Sequence, residues 1–166
     1  AAVAPFATSL NTLNNGLLIR AGGDEKVYVS HNNKKRLISN NQILNSYGYS
    51  WDNVLVLSKS MIEVISLNNI IRLSETEKVY ALNDFGYKRH IPNQKVFNSY
   101  DLKAIDIADI NQTEFASYPE SNLIQLVGGN EIYMTTGNSK KKVGLTENIQ
   151  NLGYNPNAIH IVNETD

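Results

Sequence analysis

The sequence of 166 residues contains no cysteine, and this absence excludes several kinds of chemistry at once. A disulfide framework, a thiolate zinc site and a cysteine nucleophile all require a thiol. Long apolar runs are also missing, because no stretch reaches the length of about 18 residues that a membrane-spanning helix needs. The first nine residues lack the charged and apolar regions of a secretory signal. We therefore expect no membrane insertion in this segment.

An excess of charge of either sign is missing as well. The chain has 15 basic and 16 acidic residues, a formal net charge of −1 and a pI of about 6.4. Such a balance produces no overall field that would attract polyanions. We therefore do not expect nucleic acid as a partner. Hydrophobic residues make up 42% of the chain, which is enough for a core in one domain or a compact array of small modules.

A repeat organises what the sequence does contain. Tyrosines in matching surroundings, Tyr28, Tyr80 and Tyr133, recur at intervals of 52 and 53 residues. A period near fifty indicates one supersecondary unit copied in tandem. The predicted boundaries are a lead-in at residues 1–16, two full repeats at 17–69 and 70–122, and a shorter third repeat at 123–166.

The sequence of every repeat predicts the same order of strands and helix. A short apolar strand carries Ile19, Ile71 or Ile124 at one matching position. The tyrosine strand, a tight turn rich in Asn and Gly, and a basic return strand follow. We predict an α+β fold of three tandem repeats, each with antiparallel β-hairpin strands, a short helix and a closing strand. A β-trefoil, which also has three similar repeats, is the alternative, and the helix signals disfavour it.

Local signals place the helices and the closing strands. Ser39 and Gln42 have the spacing of a capping box, and the helices are predicted around Ile43, Val96 and Ile149. Gly48 is predicted to turn left-handed after the first helix, with Asp101 in the second copy. The closing strands are predicted from matching pairs, namely Val54 and Val56, Ile105 and Ile107, and Ile159 and Ile161. Irregular or single-turn links, with Glu63 matched to Glu114, are expected after the first two closing strands, at residues 60–66 and 112–117, and the last residues of the chain are expected to be frayed.

The first repeat resembles a known class of sequence through three motifs, KVYV, KKRLIS and ILNSYGYSWDNVLVLS. Their combination is similar to tandem repeats of bacterial secreted and cell-surface proteins. The second copy lacks the Gly-Tyr pair, and the third has Gly144 where the others have isoleucine. The resemblance implies surface attachment or recognition at an extracellular or cell-surface location, and it supplies no catalytic residue.

The basic return strands provide the first set of candidate binding residues. Their cations recur at one place in each copy: Lys35, Arg36, Lys88, Arg89, Lys141 and Lys142. Repeated cations would suit an anionic cell-wall polymer such as a teichoic acid. Exposed Lys and Arg also prevent the edge of a hairpin from pairing with other chains, and this interpretation needs no ligand. Both interpretations remain open at this point.

Aromatic residues provide the second set. Trp51 has no aromatic counterpart in the other copies, whereas core positions should be repeated, so Trp51 with Tyr49 is the best candidate for an exposed contact. The repeated tyrosines are interpreted as packing residues in preference to sugar platforms.

No arrangement of residues predicts a reaction. His31, His90 and His160 occupy different positions in their repeats and lack the spacing of metal ligands. We therefore expect no enzyme activity, no metal and no cofactor. The predicted function is a non-catalytic bacterial surface or secreted module that binds a cell-wall or host glycan. A protein–protein interaction or assembly module of a larger surface protein is the alternative, and an accessory domain of a hydrolase is third.

Overall fold

The computed structural model describes residues 13–166 and has an α+β architecture of three tandem repeats, as predicted. Each repeat contains its own four-stranded sheet, so the single closed barrel of a β-trefoil is not formed. The chain divides into two compact units, of which the first ends at Asn68 and the second is Asn69–Asp166. The second unit thus contains both the second and the third repeat. Residues 1–12 of the predicted lead-in lie outside the described residues.

The elements follow one order in all three repeats. The first repeat contains β1 (Leu18–Ala21), β2 (Val27–His31), β3 (Lys34–Ile38), α1 (Asn41–Ser46), a 3₁₀ helix (Trp51–Asn53), β4 (Leu55–Leu57) and α2 (Lys59–Val64). The second contains β5 (Ile70–Leu73), β6 (Val79–Leu82), β7 (Lys88–His90), α3 (Gln94–Ser99), a 3₁₀ helix (Ala104–Asp106), β8 (Ala108–Ile110) and α4 (Gln112–Ser117). The third contains β9 (Leu123–Leu126), β10 (Glu131–Thr136), β11 (Ser139–Leu145), a 3₁₀ helix (Pro156–Ala158) and β12 (His160–Val162).

The strand register is shared by the three sheets. The first two strands of each repeat pair antiparallel, and the predicted isoleucine lies opposite the repeated tyrosine in every copy: Ile19 with Tyr28, Ile71 with Tyr80 and Ile124 with Tyr133. The match predicted from the sequence is therefore confirmed. Because side chains alternate along a strand, this register gives all three sheets the same pair of faces.

The closing strand pairs with the first strand in parallel, so that the order of the first sheet is β3-β2-β1-β4. Such a connection lets α1 cross one face of the sheet. One predicted closing strand was wrong by several residues. Ile105 lies in the 3₁₀ helix, Ile107 is its C-cap, and the strand is Ala108–Ile110. The alternation of Ile105 and Ile107 is typical of a strand, but in the structure these residues belong to the 3₁₀ helix and its C-cap.

Turn residues adopt the backbone conformations that their types favour. Asn32 and Asn33 both have positive φ angles, 45° and 57°, as a two-residue hairpin turn requires. Gly48 has a φ of 68° after α1, and Asp101 has a φ of 54° after α3, so both predicted left-handed positions are confirmed. A side chain at Asp101 makes this conformation less favourable than glycine would.

Asparagine caps the first helix of each of the first two repeats. The side chain of Asn40 accepts a hydrogen bond from the backbone of Ile43 at 2.9 Å, and Asn93 accepts one from Val96 at 3.0 Å. The predicted capping role of Ser39 was therefore wrong by one residue. The Asn oxygen reaches the third helical N–H, which is the usual partner of an N-cap side chain.

The third repeat has turns around Ile149 in place of the short helix that we predicted there. Its short helix is the 3₁₀ turn Pro156–Ala158. Gly144 takes the place of the isoleucine that follows the basic strand, and a Cβ atom at Gly144 would lie 2.7 Å from Leu152 Cδ1 and 3.3 Å from Ile149 Cδ1. The turn segment thus packs directly against β11, in space that an isoleucine side chain would fill.

Two further helices, α2 and α4, each of six residues, lie where we expected irregular or single-turn links. Ser58 caps α2 through the backbone of Met61, and Asn111 caps α4 through the backbone of Glu114. Met61 and Glu114 therefore take the same position, so the predicted match between Glu63 and Glu114 was wrong. Helices of six residues are too short to show a hydrophobic period and depend on packing for stability.

Both faces of the first two sheets are covered. In the first repeat Ile43 and Leu44 of α1 pack with Leu18 and Val29, while Ile62 of α2 packs on the other face. The second repeat does the same with α3 and α4. This arrangement explains why two short helices per repeat are stable.

Candidate functional site

The predicted cations divide into two groups by burial. Lys35, Arg36, Lys88 and Arg89 each expose only 6% or 7% of their surface. Lys141 and Lys142 of the third hairpin are exposed, and the Lys142 ammonium pairs with the Glu131 carboxylate. The first two hairpins therefore present neither of their predicted cation pairs at the surface.

The two buried lysines hold helices on their sheets. Lys35 Nζ donates to the carbonyl of Ile62 and lies 5.2 Å from the centre of the Tyr28 ring. Lys88 Nζ donates to the carbonyls of Phe115, at 3.2 Å, and Tyr118. Burial lowers the pKa of both ammonium groups. A cation at the carbonyl end of a helix is complementary to the negative end of the helix dipole, so these lysines have a structural role.

Arg89 belongs to a buried network that joins the second and third repeats. Its Nη1 donates to Asp166 Oδ1 at 2.9 Å, and Nη2 pairs with the other carboxylate oxygen. The Tyr100 hydroxyl donates to the same carboxylate at 2.8 Å and accepts from the backbone of Asn163 at 3.0 Å. Burial raises the pKa of Tyr100 to about 12, so the phenol keeps its proton as a donor. We had expected this end of the chain to be irregular.

His160 lies beside this network and is buried. Desolvation, with the nearby Arg89 charge, lowers the pKa of its imidazole to about 4, while Asp166 opposes the shift. In the unfolded chain a histidine binds a proton below about pH 6.5, whereas His160 in the folded protein binds one only below about pH 4. Folding stability is thus unaffected by His160 above pH 6.5 and decreases as the pH falls from 6.5 toward 4.

We expect the variant His160→Gln to lose this pH dependence. A shift from 6.5 to about 4 corresponds to a loss of roughly 3 kcal/mol of stability across that interval. The measurement is urea unfolding at pH 7.5, 6, 5 and 4.5. His31→Gln, in the first hairpin, is the control. An equal dependence of the free energy of unfolding on pH in the parent and in His160→Gln would show that the pKa of His160 is the same in the folded and unfolded states.

A surface cleft in the first repeat collects the residues best suited to bind a ligand, and we call it the Trp51 cleft. It has a volume of about 800 Å³ and lies between the sheet, the start of α1 and the 3₁₀ helix. Its lining comprises Arg20, Glu25, Val27, Ile38, Ser39, Asn40, Asn41, Leu44, Trp51 and Val54. Val27, Ile38 and Leu44 are buried and form an apolar base, whereas the Asn, Ser and charged residues form a polar rim.

Trp51 is the large exposed aromatic side chain of this cleft. It begins the 3₁₀ helix, where Ser50 accepts a hydrogen bond from the backbone of Asp52 at 3.2 Å. This short helix leaves 51% of the Trp51 surface exposed. Tyr49 lies outside the lining of the cleft, half buried and stacked on Tyr47 with ring centres 5.1 Å apart. Of the two predicted aromatic contacts, the structure thus places Trp51 in a cleft and Tyr49 in a ring stack.

The second repeat has a cleft at the corresponding positions, and we call it the Ala104 cleft. Its volume is about 280 Å³. Its lining comprises Glu77, Lys78, Val79, His90, Ile91, Pro92, Asn93, Gln94, Phe97, Ala104 and Ile107. Ala104 begins the second 3₁₀ helix, just as Trp51 begins the first. The same surface feature is thus built twice, with an exposed tryptophan only in the first copy.

Sequence reasoning missed the polar rim of these clefts. Glu25 and Glu77 lie at matching positions, as do the cap residues Asn40 and Asn93. The same residue types at these positions in two copies could have indicated the rim from the sequence, because surface positions without a role need not match. Asp166 was missed too, although Asn163 and Asp166 repeat the spacing of Asn111 and Glu114.

The described residues, 13–166, hold no group of three or more His, Asp or Glu side chains that could bind a metal ion. In that same part of the chain, no helix has the length and apolar character needed to cross a membrane. Fold and cleft together define a tandem-repeat α+β protein with a recurrent surface cleft. Comparison with protein-family models, curated proteins and solved structures finds no match to this chain.

Proposed function

We propose that this chain is a non-catalytic recognition module of a bacterial surface or secreted protein, and that it binds a cell-wall or host glycan in the Trp51 cleft. The observation that carries the proposal is the exposed indole beside an apolar base and a polar rim. An aromatic ring offers an apolar face to a sugar ring, and amide and hydroxyl side chains suit its hydroxyl groups. An extracellular or cell-surface location is part of the same proposal.

Burial of the hairpin cations favours stacking over charge as the mode of binding. An anionic polymer needs accessible ammonium or guanidinium groups, and those of Lys35, Arg36, Lys88 and Arg89 are enclosed by protein. Exposed lysines remain on the third hairpin, at Lys141 and Lys142. Retention on cell walls through these two residues would depend strongly on salt, because exposed charges are screened.

We expect Trp51→Ala to weaken binding to purified wall polysaccharide by about 1–3 kcal/mol, by analogy with stacking on other aromatic side chains. Isothermal titration at two salt concentrations is the measurement. The matched variant Ala104→Trp places an indole in the second cleft and should add affinity. Replacing Lys141 and Lys142 by Gln should leave affinity unchanged. Equal binding by Trp51→Ala and the parent would remove the support for this site, and loss of binding in the lysine variant would instead indicate a charged ligand.

An assembly module is the second candidate, and the buried Arg89–Asp166 pair favours it. This pair shows that neighbouring repeats of the second unit join through specific polar contacts, which is the behaviour of stacked repeat proteins. Sedimentation of the chain alone separates the two candidates. Self-association without wall binding would favour assembly, whereas a monomer that binds polysaccharide would favour recognition.

A further inference from the structure

The first sheet carries an arginine that cannot form the ion pair of its counterpart in the second sheet. Arg20 of β1 lies opposite Val56 of β4, and Arg72 of β5 lies opposite Asp109 of β8, so the two arginines share one register position. Arg72 donates to both carboxylate oxygens of Asp109, at 2.6 and 3.0 Å. In the first repeat an aliphatic side chain takes the place of that aspartate, and the same pair cannot form.

Arg20 therefore keeps donors that a ligand can use. Its Nη1 donates to the backbone carbonyl of Asp24 at 3.1 Å. Within the described residues 13–166, its Nε and Nη2 atoms have no hydrogen-bond or ion-pair partner. The side chain is half-buried, so solvent screens its charge less than that of a fully exposed arginine. A guanidinium has a planar fork of N–H groups that matches the two oxygens of a carboxylate.

The fold places this guanidinium in the Trp51 cleft. Side chains two residues apart on a strand share a face, so Arg20 lies on the face of Leu18, on which α1 packs. Arg20 and Trp51 both belong to the lining of the cleft. The described residues that line the Ala104 cleft do not include Arg72, although that cleft repeats the glutamate and the asparagine of the rim. The first cleft thus differs from the second by an indole and by an arginine with open donors.

We propose that the glycan bound in the Trp51 cleft is acidic, and that Arg20 binds a carboxylate group of the sugar, as in a uronic acid. This inference rests on the proposed glycan binding. The indole stacks on the apolar face of the sugar ring, and the guanidinium donates two parallel hydrogen bonds to the carboxylate. Glu25 on the same rim accepts from sugar hydroxyl groups. Because the rim carries one cation and one carboxylate, the acid is recognised through direct pairing with Arg20 and not through an overall field.

A tetrasaccharide of alternating glucuronic acid and N-acetylglucosamine is the acidic probe, and its carboxyl methyl ester is the matched neutral probe. Isothermal titration of the full chain at pH 7 and low ionic strength is the measurement, because such pairs are screened least there. We expect the parent to bind the acid about three- to tenfold more tightly than the ester, as for a partly exposed bidentate pair. Trp51→Ala should weaken the binding of both probes alike, because stacking does not depend on the charge of the sugar.

Variants of the two arginines localise the preference for the acid. Arg20→Gln should bind the acid no more tightly than the ester. Arg20→Lys keeps the charge but not the fork of donors, so it should retain part of the preference. Arg72→Gln is the matched control, and it should bind both probes like the parent because Asp109 already occupies the Arg72 guanidinium.

Val56→Asp tests the same pairing without altering Arg20. The new aspartate takes the register position of Asp109, so it should pair with Arg20 and abolish the preference for the acid. Val56→Asn has a similar shape without the charge and should keep most of the preference. Val56 is exposed, so both substitutions are compatible with the fold.

The outcomes separate this inference from the proposed function. Equal binding of acid and ester by the parent, with binding still weakened in Trp51→Ala, would overturn the acidic ligand and leave the glycan site intact. A preference for the acid that persists in Arg20→Gln would overturn the role of Arg20. A parent that binds wall polysaccharide but neither tetrasaccharide would overturn this inference alone, whereas a parent that binds none of the three would overturn the proposed function as well.

Discussion

Replacing Arg89 by alanine is expected to lower the free energy of unfolding of the second unit, Asn69–Asp166, by about 3–5 kcal/mol. The Arg89 and Asp166 side chains are only 8% and 3% exposed, so the variant leaves a carboxylate buried without its cation. The Tyr100 hydroxyl still donates to that carboxylate, but one neutral donor does not replace a bidentate guanidinium. Urea unfolding at neutral pH is the measurement.

Arg72→Ala is the matched control for this effect. Arg72 also forms a bidentate pair, with Asp109 at 2.6 and 3.0 Å, but these side chains are 35% and 52% exposed. Solvent screens such a pair, and its loss should cost less than about 1 kcal/mol. The double variant Arg89→Met with Asp166→Leu removes both charges and should recover much of the lost stability. Equal losses in Arg89→Ala and Arg72→Ala would show that burial does not strengthen the pair.

The third repeat is expected not to fold when it is isolated. Its apolar cluster contains four buried residues, Leu123, Ile132, Ile149 and Ala158, and Tyr87 of the second repeat packs against it. The second repeat also supplies Asn83, which donates to the carbonyls of Asn157, at 2.9 Å, and Ile159, at 3.2 Å. A unit of this size buries too little apolar surface to offset its conformational entropy.

Two fragments test this dependence by circular dichroism and thermal melting. Residues 123–166 alone should show little ordered structure and no cooperative transition. Residues 69–166, which contain both repeats of the second unit, should melt in one cooperative transition because their contacts couple the repeats. A cooperative transition from the shorter fragment would mean that the repeats fold as independent modules.

The buried lysines show why the candidate sites were harder to predict than the strands. Lys35 and Lys88 were interpreted as surface charges, because lysine is rarely buried without a partner. Their partners are backbone carbonyls at the ends of α2 and α4, roughly thirty residues further along the chain. Carbonyl groups are present at every residue, so no sequence pattern identifies the ones that will accept from a distant lysine.

The sequence alone determined the repeat, the matching strand positions of its copies and the main turns of this protein. Those features arise from local rules: apolar alternation identifies the strand that contains Ile19, and Asn32 and Asn33 accept the positive φ angles of a tight turn. The tertiary structure alone decided which of the predicted charges are buried. Arg89 meets Asp166 because of how distant segments pack, and the free energy of such contacts depends on burial that local sequence does not encode.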